Sequence, residues 1–336
     1  MFSGNLSPLA TRSARAVLGA LVSLCAPAAA QWVDGGAGLG SIAMVPAARP
    51  AGLAGAYTAL GAGQSALGIN PAGLALEKGM AYSGSVQSGL TRIGAVAGSI
   101  PLAGGSFAVS ASYMDHGEIT MTDENAADVG TAHPYNLYPA VSYARAHGES
   151  FRWGTTAKLG RESLGDFEGS RPAYGVGFDA GVQYQPARKN YGFGASATNL
   201  GRQLTGYYEG DDTRRALPGA LHAGAFYQPR GQRQLTLTAD FETPFHSPYV
   251  VAAGAEYRVI PEWTLRAGTR WNREDFRNLR GWLDPNAGIE EQGGEASKLA
   301  AGTTVRVGPV AVDYAAQWWR DLGFVHYLTV GWSPGG

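Results

Sequence analysis

The chain has 336 residues, of which 45% are hydrophobic and only 16% charged, and its formal net charge is −1; an ordinary soluble domain carries roughly 25% charged residues. Glycine occurs 49 times without a three-residue period beside 18 prolines, which excludes collagen, and a chain this apolar has too much surface to bury for intrinsic disorder. No basic stripe is present to attract nucleic acid, and a single cysteine makes neither an internal disulfide nor a cysteine-based metal site.

Residues 1–30 read as a cleaved secretory signal. Arg12 and Arg15 supply a positive start, Ala16 to Leu24 a short apolar core, and Ala28-Ala29-Ala30 the small-residue cleavage pattern before Gln31. Cys25 follows Leu24, where lipid attachment would need a small residue, so it reads as part of the discarded segment. Removing two arginines and no acid leaves 24 basic against 27 acidic side chains. No later run of about 18 apolar residues exists, which excludes a helical membrane span.

Residues 31–79 do not alternate. Their Gly/Ala-rich run predicts a short helical or coiled hatch, because small side chains allow close packing against a wall and Asn70-Pro71 sets a turn with a fixed φ. Asn70 is the leading functional candidate, as a gate or ligand contact; its turn chemistry favours instead an Asx cap or a hydrogen bond from hatch to wall. Leu53, Tyr57, Leu60, Leu67, Ile69 and Leu74 either line an apolar pocket or pack the hatch, with Pro71 in the same element.

From Met80 onward the chain breaks into alternating runs. In Ala173–Tyr184 one parity reads Tyr174, Val176, Phe178, Ala180, Val182, Tyr184 and the other Ala173, Gly175, Gly177, Asp179, Gly181, Gln183, the pattern of a strand with one greasy and one small or polar face. Fourteen strands are predicted at 80–88, 91–101, 105–115, 136–146, 151–161, 173–185, 190–199, 217–228, 233–242, 249–259, 263–272, 297–307, 310–319 and 325–332. Most approach the ~9–11 residues that cross a bilayer at a tilt. Connections alternate as well. Every second one, such as Leu102–Gly104 or Gly308-Pro309, has four residues or fewer, whereas 116–135, 162–172, 200–216, 243–248 and 273–296 carry most of the loop acids, including Asp123, Glu124, Asp128, Asp211, Asp212, Glu290 and Glu291. Short turns at one end and long loops at the other are the pattern of an outer-membrane barrel.

The predicted fold is therefore all-β: a 14-stranded antiparallel transmembrane β-barrel over 80–332 with an N-terminal hatch. Aromatics at strand ends, among them Tyr174 and Tyr184, Trp263 and Trp271, Tyr249 and Tyr257, and Trp318, match two interfacial girdles. A soluble sandwich would need polar outer faces instead. Lys158, Asp179, Asp240, Glu256, Arg266, Arg270, Arg306 and Asp313 fall on the small-residue parity and form a lumen charge network, read either as a selectivity track or as ion pairs that fix barrel and hatch; the second reading is favoured, because buried charges must find partners. The six histidines stand in no zinc frame, and neither a nucleophile elbow nor a dinucleotide fingerprint is present, so no catalytic residue, cofactor or metal is expected.

The run Ala48-Arg49-x-x-Gly52-Leu53-x-Gly55-Ala56-Tyr57-Thr58-Ala59, followed by Asn70-Pro71-Ala72-Gly73-Leu74-Ala75, resembles the N-terminal signature of the PorV/PorQ family, a branch of the FadL-like outer-membrane barrels. Phe178–Tyr184, Ala197–Gly201, Gly254–Arg258, Leu265–Gly268 and Val312–Ala315 are similar as well. Gly63-Gln64-Ser65 and Gly68-Ile69 depart from it, standing where relatives tend to carry acids and an aromatic, and the last aromatic, Trp332, lies four residues from the end. The resemblance implies a non-enzymatic protein in the outer membrane of a Gram-negative-type bacterium, in contact with lipid and inserted by the barrel-assembly machinery. It implies a binding or accessory role toward secreted cargo or type IX-like secretion components; alternatively, FadL-like passage of a hydrophobic small molecule through the hatch and out sideways.

Overall fold

A computed structural model of the protein describes residues 37–334 apart from 78–79, 89–91, 123–124, 126–127, 168, 212–213, 274, 276–298 and 320–322. The signal segment with Cys25, the loop acids Asp123, Glu124, Asp212, Glu290 and Glu291, and most of the 273–296 connection lie outside the described residues.

In chain order the strands are β1 (Ala81–Ser88), β2 (Arg92–Leu102), β3 (Gly105–Asp115), β4 (Ile119–Thr122), β5 (Asp128–Ala132), β6 (Tyr135–His147), β7 (Phe151–Ser163) and β8 (Ala173–Tyr184). There follow β9 (Tyr191–Gln203), β10 (Ala220–Tyr227), β11 (Leu235–Pro244), β12 (Val250–Ile260), β13 (Trp263–Asn272), β14 (Leu299–Val307), β15 (Val310–Trp319) and β16 (Gly323–Trp332). β1–β3 and β6–β16 make one closed antiparallel barrel, sealed where β1 pairs with β16 through Tyr82 opposite Trp332. All fourteen predicted strands are present. β4 and β5 form an additional hairpin inside the long connection after β3, where no strand was expected.

Boundaries moved for physical reasons. The turns expected at 186–189 and 229–232 widen to 185–190 and 228–234, since Pro186 and Pro229 have no N–H for the ladder. Leu217-Pro218-Gly219 does not join β10; Leu217 instead turns inward and is buried against Leu39, Ile42 and Tyr138. β9 runs past its expected end because a bulge between Phe178 and Ala180 of β8 sets both Thr198 and Asn199 against that strand. Asn199 adopts φ 53°, a left-handed conformation that asparagine tolerates, and its N–H donates to Asp179 Oδ1 at 2.7 Å.

The alternation has the expected polarity. Outward positions are exposed and apolar, with Val96 at 63% and Leu159 at 59%, while β8 alternates buried and exposed along its length. The inward face is filled by residues 37–77, which form short 3-10 turns (Gly40–Ala43, Gly63–Ala66, Pro71–Leu76) and one five-residue α-helix, α1 (Ala48–Gly52). So short a helix is marginal by itself. It is held by Thr329 Oγ1, which accepts the Ala48 N–H at 2.9 Å, and by Gln317 Nε2, which donates to the Ala51 carbonyl at 2.8 Å.

Small wall residues make the fit possible. A Cβ on Gly194 would stand 2.5 Å from Thr58 O, and one on Gly154 would stand 2.5 Å from Pro71 O, so the lumenal backbone lies directly on those strands. Replacing Gly194 by Val should push the segment off β9 without touching the barrel ladder. The expected result is rapid protease cleavage within residues 37–77 of the folded barrel, at a stability cost of about 1–3 kcal/mol for overpacking. Cleavage at the wild-type rate would show that the segment is not seated on Gly194.

Candidate functional site

The structure places several of the inward charges in pairs, and two of them, Glu256 and Asp240, reach the lumenal segment. Glu256 and Arg266 are register partners on β12 and β13 and pair at 2.6 Å. Glu256 also accepts the guanidinium of Arg49 from α1 through both oxygens, at 2.9 and 3.0 Å. Arg266 reaches on to Asp313 at 3.2 Å and to Thr304 Oγ1. Lys158 pairs with Asp179 at 2.7 Å and donates to Asn199 Oδ1 at 2.7 Å, so β7, β8 and the β9 bulge share one buried charge pair. Asp240 does not join Glu256 and Arg266: its Oδ2 accepts the N–H groups of Tyr57 and Thr58 at 2.9 and 2.7 Å. Arg306 is exposed near the short-turn end and makes no ion pair among the described residues.

Asn70 is fully buried. Its Oδ1 accepts the Ala72 N–H at 3.1 Å, capping the turn that Pro71 opens, and Nδ2 donates to Thr58 O at 2.9 Å and Val182 O at 3.0 Å. It is thus an Asx cap and a bond to the wall. Leu53, Tyr57 and Ile69 pack together with Leu60 beside them, and Leu74 packs on Ala108 and Ala144 with Leu67 beside it. Leu67 and Ile69 of this set also line open space.

Two cavities flank the segment. The larger, about 820 Å³, lies at the long-loop end above Pro50, Ala51, Ala54 and Ile69, and its wall includes Asn199, His222, Glu242, His246, Arg270 and Trp319. The smaller, about 110 Å³, is lined by Ile42 and Leu67 and by Ser110, Tyr138, Ala140 and Lys158 of the wall. Met44, Val45 and Gly68 line both. Gly68 has φ 88°, and a Cβ there would meet Val45 Cγ2 at 2.9 Å, so this pair forms the partition.

Several site residues were missed. Glu242 pairs with Arg270 at 2.7 Å and stands 4.0 Å from His222, whose other nitrogen is 3.1 Å from Thr198 Oγ1. Its parity matches Asp240 two positions earlier, a signal that was available. A second cluster gathers Ser41, Tyr138 and Tyr207 on Glu162. Burial, together with the hydrogen bond to Glu162 and its negative charge, holds the Tyr207 phenol in the external loop above its usual range. Among the described residues no three His, Cys, Asp or Glu side chains stand close enough to hold a metal ion.

A closed fourteen-stranded barrel with a coiled segment in its lumen and a cavity on either side of a narrow partition defines a plugged-barrel architecture. Solved structures share the fold. The Pseudomonas putida toluene transporter TodX matches with a TM-score of 0.53 at 12% identity over 88% of this chain and 96% of that one. The CymD monoaromatic hydrocarbon channel gives 0.54 at 13% identity over 88% and 98%, and a Pseudomonas aeruginosa FadL homologue gives 0.55 at 12% identity over 86% and 98%. At such identity the likeness is one of fold. No family model and no curated protein matches the chain.

Breaking the fastening has a measurable cost. Arg266→Ala strands Glu256 and Asp313 with fewer partners in a buried setting, and losing one member of such a pair costs about 3–5 kcal/mol. The expected readout is a lower temperature for loss of the folded band on a semi-native gel, with Arg306→Ala unchanged as the control. An equal effect of the two substitutions would contradict the assignment.

Proposed function

We propose that the protein is a non-enzymatic outer-membrane channel that passes hydrophobic small molecules through its plugged lumen. Support for the membrane setting is the outward band of exposed Val, Leu, Phe and Tyr around a closed barrel, an arrangement whose apolar area is unfavourable in water and favourable in lipid. Residues 1–30 serve as the export signal, and the barrel-assembly machinery and outer-membrane lipid are the general partners. The named structural neighbours are a toluene transporter, a monoaromatic hydrocarbon channel and a FadL homologue, and their chemistry supports this reading over the secretion-accessory role, which rests on the PorV/PorQ resemblance alone.

One observation carries the proposal: the two cavities share Met44, Val45 and Gly68, and the smaller touches Val96 and Ala111, which belong to the outward parity of β2 and β3. Ala111 is paired with Pro139 of β6. On the other side of that proline the ladder to β7 lapses, the register passing from Leu137 opposite Arg161 directly to Ala140 opposite Lys158. Proline has no N–H to give, so the wall is weakened there, between Tyr138 and Ala140 that line the cavity. A molecule entering from the long-loop end would cross the Val45–Gly68 partition and leave sideways into lipid beside Pro139.

The test is uptake of radiolabelled toluene by cells expressing the full chain. Pro139→Val restores a ladder donor and should slow uptake about tenfold, equivalent to a barrier about 1.4 kcal/mol higher. Uptake no faster than in cells lacking the protein would reject the channel, whereas wild-type uptake in the variant would reject the sideways exit.

A further inference from the structure

We propose that the short-turn end of the barrel, along the arc from β6 to β11, binds the headgroups of anionic phospholipids in the leaflet that those turns face. The inference rests on the membrane setting of the proposed function and not on the passage of any molecule.

Five cations mark the arc: Arg145 near the end of β6, Arg188 and Lys189 in the turn after β8, and Arg230 and Arg233 in the turn after β10. All five are exposed, and none makes an ion pair among the described residues. Glu149 is the one acid in the three turns of the arc, 148–150, 185–190 and 228–234. Arg152 is set apart, because it belongs to the inward face and donates to Gln183 and Gln185 at 3.2 Å. Unpaired side chains of one sign, spread over neighbouring turns, create a field that attracts a negative partner.

The kind of partner follows from where the cations stand. Outward aromatic rings line the same strand ends: Tyr143, Trp153, Tyr184, Phe193, Tyr191 and Tyr227. Tyr143 meets Trp153 edge-on with ring centroids 5.8 Å apart, Tyr184 lies opposite Phe193, and Tyr191 lies opposite Tyr227. Such rings settle at the boundary between acyl chains and headgroups. Arg145 is the register partner of Trp153 and follows Tyr143 by two positions on the outward face, about 7 Å along the strand. Its guanidinium reaches over the turn between β2 and β3, with Nη2 3.5 Å from where a Cβ on Gly104 would stand, which aims it at the rim and away from the apolar band. Arg188 and Arg230 come shortly after Tyr184 and Tyr227 in the chain, again on the water side of the rings.

A phospholipid presents the matching pair of surfaces, an acyl boundary for the rings and a phosphate beyond it, which guanidinium binds through parallel N–H donors. A net negative headgroup is favoured over a zwitterionic one, because each nearby Lys or Arg adds attraction to an anionic surface. Arg145 stands on the lipid-facing side of the wall, where a soluble acidic protein has no access and a headgroup is already present.

The test places the full chain in phosphatidylethanolamine vesicles containing brominated phosphatidylglycerol or brominated phosphatidylethanolamine as quenchers of tryptophan fluorescence. The signal at the arc is the part of the quenching that Trp153→Phe removes. Brominated phosphatidylglycerol should quench it with about tenfold higher apparent affinity, and salt at about 0.5 M should bring the two lipids close to parity. Changing Arg188, Lys189, Arg230 and Arg233 together to Gln should abolish the preference, whereas Arg258→Gln with Arg306→Gln, both on the inward parity, should leave it intact. Equal quenching by the two lipids, a preference unmoved by salt, or its survival in the folded four-residue variant would each overturn the proposal. Displacement of the lipid by glycerol phosphate or polyglutamate at equal charge would also overturn it, in favour of a free anion or an acidic protein. If the four-residue variant does not fold, the salt dependence of the wild-type chain decides. Quenching of the folded chain by neither lipid is a different result, which rejects the membrane setting itself.

Discussion

The structure depends on one requirement: a lumenal segment with almost no regular secondary structure leaves backbone N–H and C=O groups that something else must satisfy. An orphaned buried amide costs about 1–3 kcal/mol, so forty residues of coil inside a barrel would be prohibitive without partners. The wall supplies them from the inward parity of its strands. Asp240 receives two successive N–H groups, Gln183 donates to the carbonyls of Thr58 and Gly61, Ser196 to that of Ile69, and Thr238 to that of Ala56. These residues are polar, and on β8 and β9 they follow glycines on the same face, Gly181 before Gln183 and Gly194 before Ser196, because that face has to hydrogen-bond to a backbone and let it approach within contact distance. The weak charge content of the sequence follows from this division: the outward face is apolar, and the inward face speaks mostly through neutral amides and hydroxyls.

The barrel was legible because a strand with two different environments writes its period into the sequence. Where the environment is uniform along the strand, as in β8, the parity was read correctly and the length to within one residue. Legibility stopped where the backbone departs from period two. The run from Thr198 to Gln203 changes parity at a bulge, so alternation alone ends β9 at Asn199, although Gln203 resumes on the inward side and is buried. The hairpin of β4 and β5 is short and largely exposed on both faces, which leaves no alternation to detect.

The site was less legible than the wall, for a different reason. Its residues come from elements far apart in the chain, and nothing local distinguishes Arg49, whose partner Glu256 lies 207 positions away. The charge pairs on neighbouring strands could be anticipated from parity, as with Glu256 and Arg266; the contacts between segment and wall could not. Asp240 shows the difference. Its parity placed it among the charges, but its actual partners are backbone amides, which no charge count contains.

The distribution of these bonds also determines where the lumen can open. From Ala48 to Leu76 the segment is tied repeatedly to β8, β9, β11, β12, β15 and β16, and displacing it would break many bonds at once. Between Ala43 and Ala47 the chain is extended, Ala43 and Met44 are exposed to the cavities, and the Val45 N–H finds no hydrogen-bond partner among the described residues. Val45 is retained chiefly by van der Waals contact across Gly68, and apolar contacts of that kind yield and re-form at little cost compared with buried hydrogen bonds. On the proposed channel reading, a passing apolar molecule would replace those contacts with its own, and the partition between the cavities would part and close while the bonded remainder of the segment stays in place. Local opening of a few unbonded residues would then suffice, without ejection of the whole segment.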